Sequence, residues 1–397
     1  MITLKKKFSD SFNFVRNKTI LLRVDLNVPI EDKKVSDSTR IKKIIPTFKK
    51  LLDQKAKIIV LSHLGRPNGK WDESLSLQTV ISELEILLEK KIPLIKNNLK
   101  KINPNEIKQN FKEFDIISLE NLRFYPEEEK KEEKFIKKLS SFADIFINDC
   151  FSSSHRNHAS ISGIPKLLPS FPGELLENEI LNLKNLFLIG NNLDGIAVFG
   201  GSKISTKIRL IEFYAEKFSK VLIGGAMANT IYLSKGYQIG KSLHEKKMVK
   251  FSDELVKNYK DKILLPTDFI VTDKSLQKKP SVKEVNKIEK NDLIVDIGPK
   301  TRMLFYNEII KTSIVLWNGP LGLFEKKPFD EGTIFVLKSI KANKIKNFFS
   351  VAGGGDTISI LNQANCFDDF SFVSTGGGAF LEFIQGSTMP GLVSLND

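Results

Sequence analysis

Cysteine, histidine and arginine are all scarce in this chain, and a long apolar run is missing altogether. Two cysteines, Cys150 and Cys366, cannot build a disulfide framework and suit a reducing, cytoplasmic compartment. No stretch is apolar for long enough to cross a bilayer, so no membrane partner is expected. The N-terminus, Met1-Ile-Thr-Leu-Lys-Lys-Lys-Phe8, lacks an apolar segment followed by a small-residue cleavage site, which argues against a secretory signal. A G-x-G-x-x-G with a downstream acidic residue is absent, which argues against a dinucleotide dehydrogenase. Gly236-Tyr-Gln-Ile-Gly-Lys-Ser242 resembles a P-loop, but only three residues separate its glycines and it follows a helix-like segment, so it is rejected. No Ser–His–Asp or paired-carboxylate arrangement for acid–base work stands out.

What is present is 397 residues of globular composition, enough for two domains of α/β size. The net charge is +14, yet only eight of the 61 basic residues are arginines. The lysines are spread along the chain beside abundant Ile, Asn and Phe, a pattern of A/T-rich codons more than of a nucleic-acid-binding face, so no nucleic-acid partner is expected. Arg23, Arg40, Arg66, Arg123 and Arg156 lie in the first half, mostly within or just after apolar runs. Arginine suits planar capture of carboxylate and phosphate, so this placement points to a small anionic ligand.

The central stretch, Ile196-Ala-Val-Phe-Gly-Gly-Ser-Lys-Ile-Ser-Thr-Lys207, reads as strand, glycine turn and helix, with Lys203 and Lys207 on successive helical turns. Such a turn presents unpaired N–H groups and a helix dipole to an anion. Two further glycine turns, at Gly353 and Gly376, also follow strands and precede helix patterns. Asp356, directly behind Gly353-Gly-Gly355, has two readings, a metal carboxylate for a triphosphate or a helix cap.

In the first half, Lys18–Pro29 reads as a strand whose end puts Arg23, Asp25 and Asn27 on one face and Val24, Leu26 and Val28 on the other. Thr39 is placed to cap a following helix, with Arg40 in its first turn. Lys57–Pro67 is a strand with His63 and Arg66 in its exit loop, Phe114–Phe124 a strand ending on an arginine, and Ala143–Phe151 a strand leading to Arg156. Helix patterns cover Ser76–Lys91 and Glu128–Phe142. Alternating strands and helices imply a parallel sheet whose ligands sit outside the strands' carboxyl ends, where the arginines and His63 all fall. Pro165, Pro169 and Pro172-Gly173 break the pattern before one amphipathic helix, Glu174–Leu188, and the domain boundary is placed along it. The second half repeats the α/β alternation through strands at Val221, Ile263, Leu293–Lys300, Ser313, Phe348 and Phe370. An anion pocket in one half and a nucleotide site in the other describe a small-molecule kinase. A carboxylate kinase with another acceptor and a polyanion-binding protein remain the alternatives.

Arg23-Val-Asp-Leu-Asn-Val-Pro29, Ser62-His-Leu-Gly-Arg-Pro67, Glu120-Asn-Leu-Arg123, His155-Arg156, Gly200-Gly-Ser-Lys203, Asp296-Ile-Gly-Pro-Lys300, Trp317-Asn-Gly-Pro320, Gly353-Gly-Gly-Asp-Thr357 and Ser374-Thr-Gly-Gly-Gly378 closely resemble, in order and spacing, the motifs of the phosphoglycerate kinase family. The resemblance covers essentially the whole chain. It implies an α/β fold of two Rossmann-like domains with parallel sheets, residues 1–173 for phosphoglycerate and 191–379 for the nucleotide, joined by a hinge helix over 174–190, with a tail, 380–397, returning to the first domain. It implies reversible phosphoryl transfer between MgATP and the carboxylate of 3-phosphoglycerate, by closure about the hinge and without a general base, in a cytoplasmic monomer.

By match to the family pattern, Asp25, Leu26, Asn27, Arg40, His63, Leu64, Gly65, Arg66, Arg123 and Arg156 would hold the phosphoglycerate. Lys207, Gly354, Gly355, Asp356 and Thr357 would meet the nucleotide phosphates, Glu325 the ribose and Asp356 the Mg²⁺, while Arg40, Lys203 and Lys207 would serve the transfer itself. Ser152, Thr206 and Ala226 depart from the family's commoner glycine, aspartate and glycine.

Overall fold

A computed structural model describes residues 3–189 and 194–396, which fall into two compact units, Met1–Leu181 with Gly386–Asp397, and Asn182–Gln385. The division lies inside one helix, Glu174–Ile189, and the chain rejoins the first unit at Gly386 rather than at Phe380. The expected hinge end at residue 190, the second domain's start at 191, Met1 and Asp397 lie outside the described residues.

The first unit is built on β1 (Thr19–Val24), β2 (Lys57–Leu61), β3 (Leu94–Ile95), β4 (Ile116–Leu119), β5 (Ile145–Asp149) and β6 (Ser170–Pro172). They form one parallel sheet in the order β3-β4-β2-β1-β5-β6. Both faces are apolar, as a covered parallel sheet requires. Ile20, Leu22, Ile58 and Val60 pack on one face with Ile41, Ile44 and Phe48 of α1 (Thr39–Asp53) and Val80 and Leu84 of α2 (Gln78–Leu88). Leu21, Ile59 and Leu61 pack on the other with Phe135 and Leu139 of the helix Glu133–Ser140.

Several expectations need correction. β1 stops at Val24, so Arg23, Asp25 and Asn27 do not form one polar row; Arg23 is an interior strand residue and the other two belong to the exit loop. Ser38, not Thr39, stands at the N-cap of α1, and the Asp37 carboxylate accepts the Thr39 N–H. Arg123 sits in a 3₁₀ turn, Leu122–Phe124, rather than on a strand end. The helix pattern over Glu128–Phe142 is two helices, α3 (Pro126–Lys130) and α4 (Glu133–Ser140), broken where Lys131 takes a left-handed φ of 55°. Strand β6 lies within the proline-rich break, at the sheet edge where proline removes no needed donor.

The second unit holds β7 (Gly195–Phe199), β8 (Lys220–Ile223), β9 (Ile263–Leu264), β10 (Asp268–Thr272), β11 (Ser281–Glu284), β12 (Leu293–Ile297), β13 (Ile314–Asn318), β14 (Phe349–Gly353) and β15 (Phe372–Ser374). Six of these make a parallel sheet, β9-β8-β7-β13-β14-β15. The other three make an antiparallel sheet, β11-β10-β12, so Leu293–Lys300 is no part of the α/β alternation. β11 reads Ser-Val-Lys-Glu with half its length exposed, and no apolar run marks it. No helix among the described residues is long and apolar enough to cross a membrane.

Candidate active site

In the first sheet the order reverses at β1, with β2 on one side and β5 on the other, which opens a crevice at the strands' carboxyl ends. The loops leaving β1, β2, β4 and β5 carry the anticipated polar groups there. Asp25 Oδ1 accepts from the Asn27 N–H at 2.9 Å, and Oδ2 lies 3.1 Å from Arg40 Nη1. Arg40 Nη1 also donates to the Asn27 carbonyl at 2.8 Å. Asn27 Oδ1 accepts from the Gly65 N–H at 2.8 Å, and Arg123 Nη1 donates to the Gly65 carbonyl at 2.9 Å. Gly65 has a φ of 61°, which permits this approach from both sides. Arg66 and Arg156 are exposed, and no side-chain partner engages either among the described residues.

The Glu120-Asn-Leu-Arg123 segment is scaffolding for this loop cluster. Glu120, fully buried, accepts from Ser76 Oγ, the Leu77 N–H and the Asn121 N–H. Asn121 Nδ2 donates to the Leu64 and Leu75 carbonyls, and its Oδ1 caps the turn that carries Arg123.

Charge in the cluster is lopsided. Burial, then Arg23, Arg123, His158 and Arg40, hold His63 well below the ordinary histidine range. His155 and His158 are each lowered to about 4, first by burial and then by Arg156 or Arg123 and their neighbours. A site that holds three histidines neutral while retaining its guanidinium charges is built for an anion.

In the second sheet the order reverses between β7 and β13, and the backbones leaving these strands touch. Gly200 N–H donates 3.1 Å to the Asn318 carbonyl. A Cβ on Gly200 would sit 2.0 Å from the Pro320 carbonyl oxygen, so only glycine fits. Lys207 crosses this turn, donating to the Gly200 carbonyl at 2.7 Å and the Asn318 carbonyl at 3.1 Å. Burial lowers it to about 8, against a partial upward pull from Asp356. Asp356 stands in the first turn of the helix Gly355–Gln363, behind Gly354, whose φ is 104°. Beside these turns lies a cavity of about 250 Å³, lined by Gly201, Ala226, Leu293, Leu321, Glu325 and Asp356 among others. Its apolar wall suits a nucleotide base and its glycine backbone suits phosphates, while the Asp296, Glu325 and Asp356 carboxylates suit hydroxyls or a cation.

The family model for phosphoglycerate kinase matches residues 10–387. The phosphoglycerate kinase of Orientia tsutsugamushi (strain Ikeda) is 40% identical over 388 residues, covering 96% of this chain and 95% of that protein. That of Dictyoglomus turgidum is 40% identical over 387 residues, covering 96% of each. The chain belongs to the phosphoglycerate kinase family. Solved phosphoglycerate kinases agree: the Coxiella burnetii structure matches with TM-score 0.84 and 35% identity over 96% of each chain. The Pyrococcus horikoshii OT3 structure matches with TM-score 0.84 and 29% identity over 98% of each. The chain is thus a kinase that reversibly transfers a phosphoryl group between ATP and the carboxylate of 3-phosphoglycerate, giving ADP and 1,3-bisphosphoglycerate, and its substrates are small molecules.

Against this phosphoglycerate kinase frame, the first unit brings Asp25, Asn27, Arg40, His63, Gly65 and Arg123 into one connected network. Leu26 and Leu64 direct their side chains into the core and have only backbone to offer. Arg23 is 1% exposed with its guanidinium engaged internally, so it is not one of the ligand-facing cations of the pocket. In the second unit, Lys203 is exposed at the N-cap of a 3₁₀ turn, Ile204–Thr206, and the helix proper, Ile208–Lys217, begins after Lys207. The two lysines are therefore not on successive α-helical turns. Thr357 is fully buried and its Oγ1 accepts the Gly319 N–H at 2.8 Å, so it shapes the turn after β13. The N-cap of the helix behind the glycines is Gly354, not Asp356.

The three departures are accommodated. Ser152 donates to Asp25 Oδ2 at 2.5 Å, Thr206 Oγ1 donates to the Lys203 carbonyl at 2.9 Å, and Ala226 lines the cavity. Sequence reasoning gave no role to Glu128 or Ser160, and none to Asn318 beyond its place in the Trp317–Pro320 motif; all three are buried polar residues, which need partners.

Proposed function

We propose that the arginine–histidine cluster of the first unit binds 3-phosphoglycerate and that the glycine-turn cavity of the second binds the nucleotide. The observation that carries this reading is the charge balance of the cluster, where His63, His155 and His158 are held neutral beside Arg40, Arg123 and Arg156. Arg66, exposed next to Gly65, joins them as a free cation for phosphate or carboxylate. Asp25, Asn27 and the Gly65 backbone fix the ligand's orientation through the bonds that already tie them together.

The acceptor carboxylate is ionised at neutral pH, so no base is required and the barrier is alignment and charge repulsion. Arg40 and Lys203 lower that repulsion around the transferring phosphoryl group, and Lys207, one short turn away, holds the donor's phosphates. The Gly354 and Gly355 backbone at the helix start receives the same phosphates, and Glu325 at the cavity rim reaches the ribose. Among the described residues no cluster of three or more metal-ligating side chains exists. Asp356, a single carboxylate beside the phosphate turn, fits Mg²⁺ that arrives on the nucleotide, because that ion is held by one or two carboxylates plus substrate phosphates. When bound, the ion would neutralise phosphate charge. Ligands held on different units must approach for transfer, which assigns the helix Glu174–Ile189 the hinge role. A cytoplasmic enzyme is the accompanying reading, supported by two free cysteines, and a monomer is proposed with it.

The test is ATP consumption with Mg²⁺, with and without 3-phosphoglycerate, in the presence of hydroxylamine to trap acyl phosphate. Hydroxamate formed only with all three supports the reading; ATP hydrolysis without hydroxamate sinks it.

A further inference from the structure

A file of hydrogen bonds runs through the interior of the first unit, from Glu128 in α3 to His63 in the loop after β2. All its members are buried, with Ser160 0%, Glu128 and Arg23 1% and His63 4% exposed. Glu128 accepts twice from Ser160, at 2.6 Å from its hydroxyl and at 3.0 Å from its backbone N–H. The single hydroxyl proton of Ser160 is thereby committed, and its oxygen accepts the Arg23 Nε–H at 3.0 Å. Arg23 Nη1 turns to the Val24 carbonyl and lies 3.7 Å from Cys150 Sγ, while Nη2 meets His63 Nδ1 at 3.0 Å.

The direction of that last bond is not a free choice. A guanidinium has donors only, so His63 Nδ1 must present its lone pair. The groups around the ring, Arg23, Arg123, Arg40 and His158, all oppose a second proton. Its one proton therefore sits on Nε2, the nitrogen that Arg23 does not occupy.

We propose that Glu128 and Ser160 are positioning residues which, through Arg23, lock His63 as the neutral Nε2–H tautomer, a hydrogen-bond donor to the anionic substrate. The donor half rests on the reading that the cluster binds 3-phosphoglycerate; the tautomer half does not. An imidazolium would add charge but would depend on pH, whereas a locked neutral donor offers the same bond across the physiological range. Glu128 reaches Arg23 through the Ser160 hydroxyl, so the carboxylate acts on the ring by holding Arg23 against His63 Nδ1.

The experiment is long-range proton–nitrogen NMR on the full-length protein labelled with ¹⁵N-histidine, whose four histidines give a tractable spectrum. His63 is assigned as the ring lost in His63→Gln. The expected result is an unprotonated Nδ1 and a protonated Nε2 from pH 6 to pH 8. In Ser160→Ala the two nitrogens should move toward mixed-tautomer values and KM for 3-phosphoglycerate should rise roughly tenfold, with KM for ATP unchanged. Ser160→Thr, which keeps the hydroxyl, should restore both. A proton on Nδ1 in the unsubstituted protein overturns the proposal without recourse to any variant. So does a Ser160→Ala protein with the tautomer and KM unmoved. If 3-phosphoglycerate leaves the locked Nε2 resonance in place, the donor role and the substrate-site reading fall, and the tautomer result stands apart from them.

Discussion

Replacing Lys207 with methionine should leave the protein as stable as before and almost inactive. The buried ammonium titrates at about 8 rather than 10.5, because burial disfavours its charged form. A displacement of that size corresponds to about 3 kcal/mol of cost in holding the charge at neutral pH, an upper figure for a side chain that keeps some solvent contact. Lys207→Met removes that cost. It also orphans an acceptor: the Asn318 carbonyl keeps its bond from the Gly200 N–H, but the Gly200 carbonyl loses the 2.7 Å bond from Nζ, a penalty of about 1–3 kcal/mol. The two effects oppose each other, so urea unfolding should give a stability within about 2 kcal/mol of the parent. Turnover loses a cation aimed at the donor's phosphates and should fall by about 10² to 10³.

The same lysine sets a pH dependence. In the free protein it loses its proton above about 8, and bound phosphates would raise its pKa, so nucleotide binding takes up a proton at pH 9 and almost none at pH 6.5. Nucleotide affinity accordingly falls as pH rises through 8. Titration calorimetry in buffers of different ionisation enthalpy reads the uptake directly. A large loss of stability in Lys207→Met, with activity falling only in proportion to the folded fraction, would refute the reasoning.

Arg40→Ala should cut kcat by about 10² to 10³ while leaving KM for ATP nearly unchanged, as steady-state kinetics will register; equal losses in both would mean that Arg40 serves ground-state binding only. Gly200→Ala should destabilise the second unit by about 3 kcal/mol or more, because its Cβ would meet backbone at 2.0 Å, and should abolish the rise in thermal midpoint that ADP confers. An unchanged midpoint with normal ADP protection would show that the two turns can separate at little cost.

The parallel sheets were legible because their strands are short continuous apolar runs, as in Lys57–Leu61 and Ile145–Asp149, and the glycine turns because each interrupts such a run. What stayed hidden was tertiary. Arg23 reads like its fellow arginines, and only packing reveals that its guanidinium is spent inside the protein on Ser160 and His63. β11 carries no apolar pattern and exists through pairing with β10. Lys131 ends α3 in a left-handed turn that a lysine seldom adopts, with no Gly or Asn to announce it. Thr357, fully conspicuous in its motif, proves to hold the turn at Gly319.

Whether the arginine–histidine cluster is the phosphoglycerate site can be read from its own imidazoles. Proton NMR titration of the four histidines, with and without 3-phosphoglycerate, decides it. The bound anion should raise His155 and His158 from about 4 toward the ordinary histidine value and displace the His63 ring, while the resonances of His244, in the second unit, stay in place. Histidines of the cluster left unmoved by 3-phosphoglycerate, or moved instead by ADP alone, would contradict the assignment.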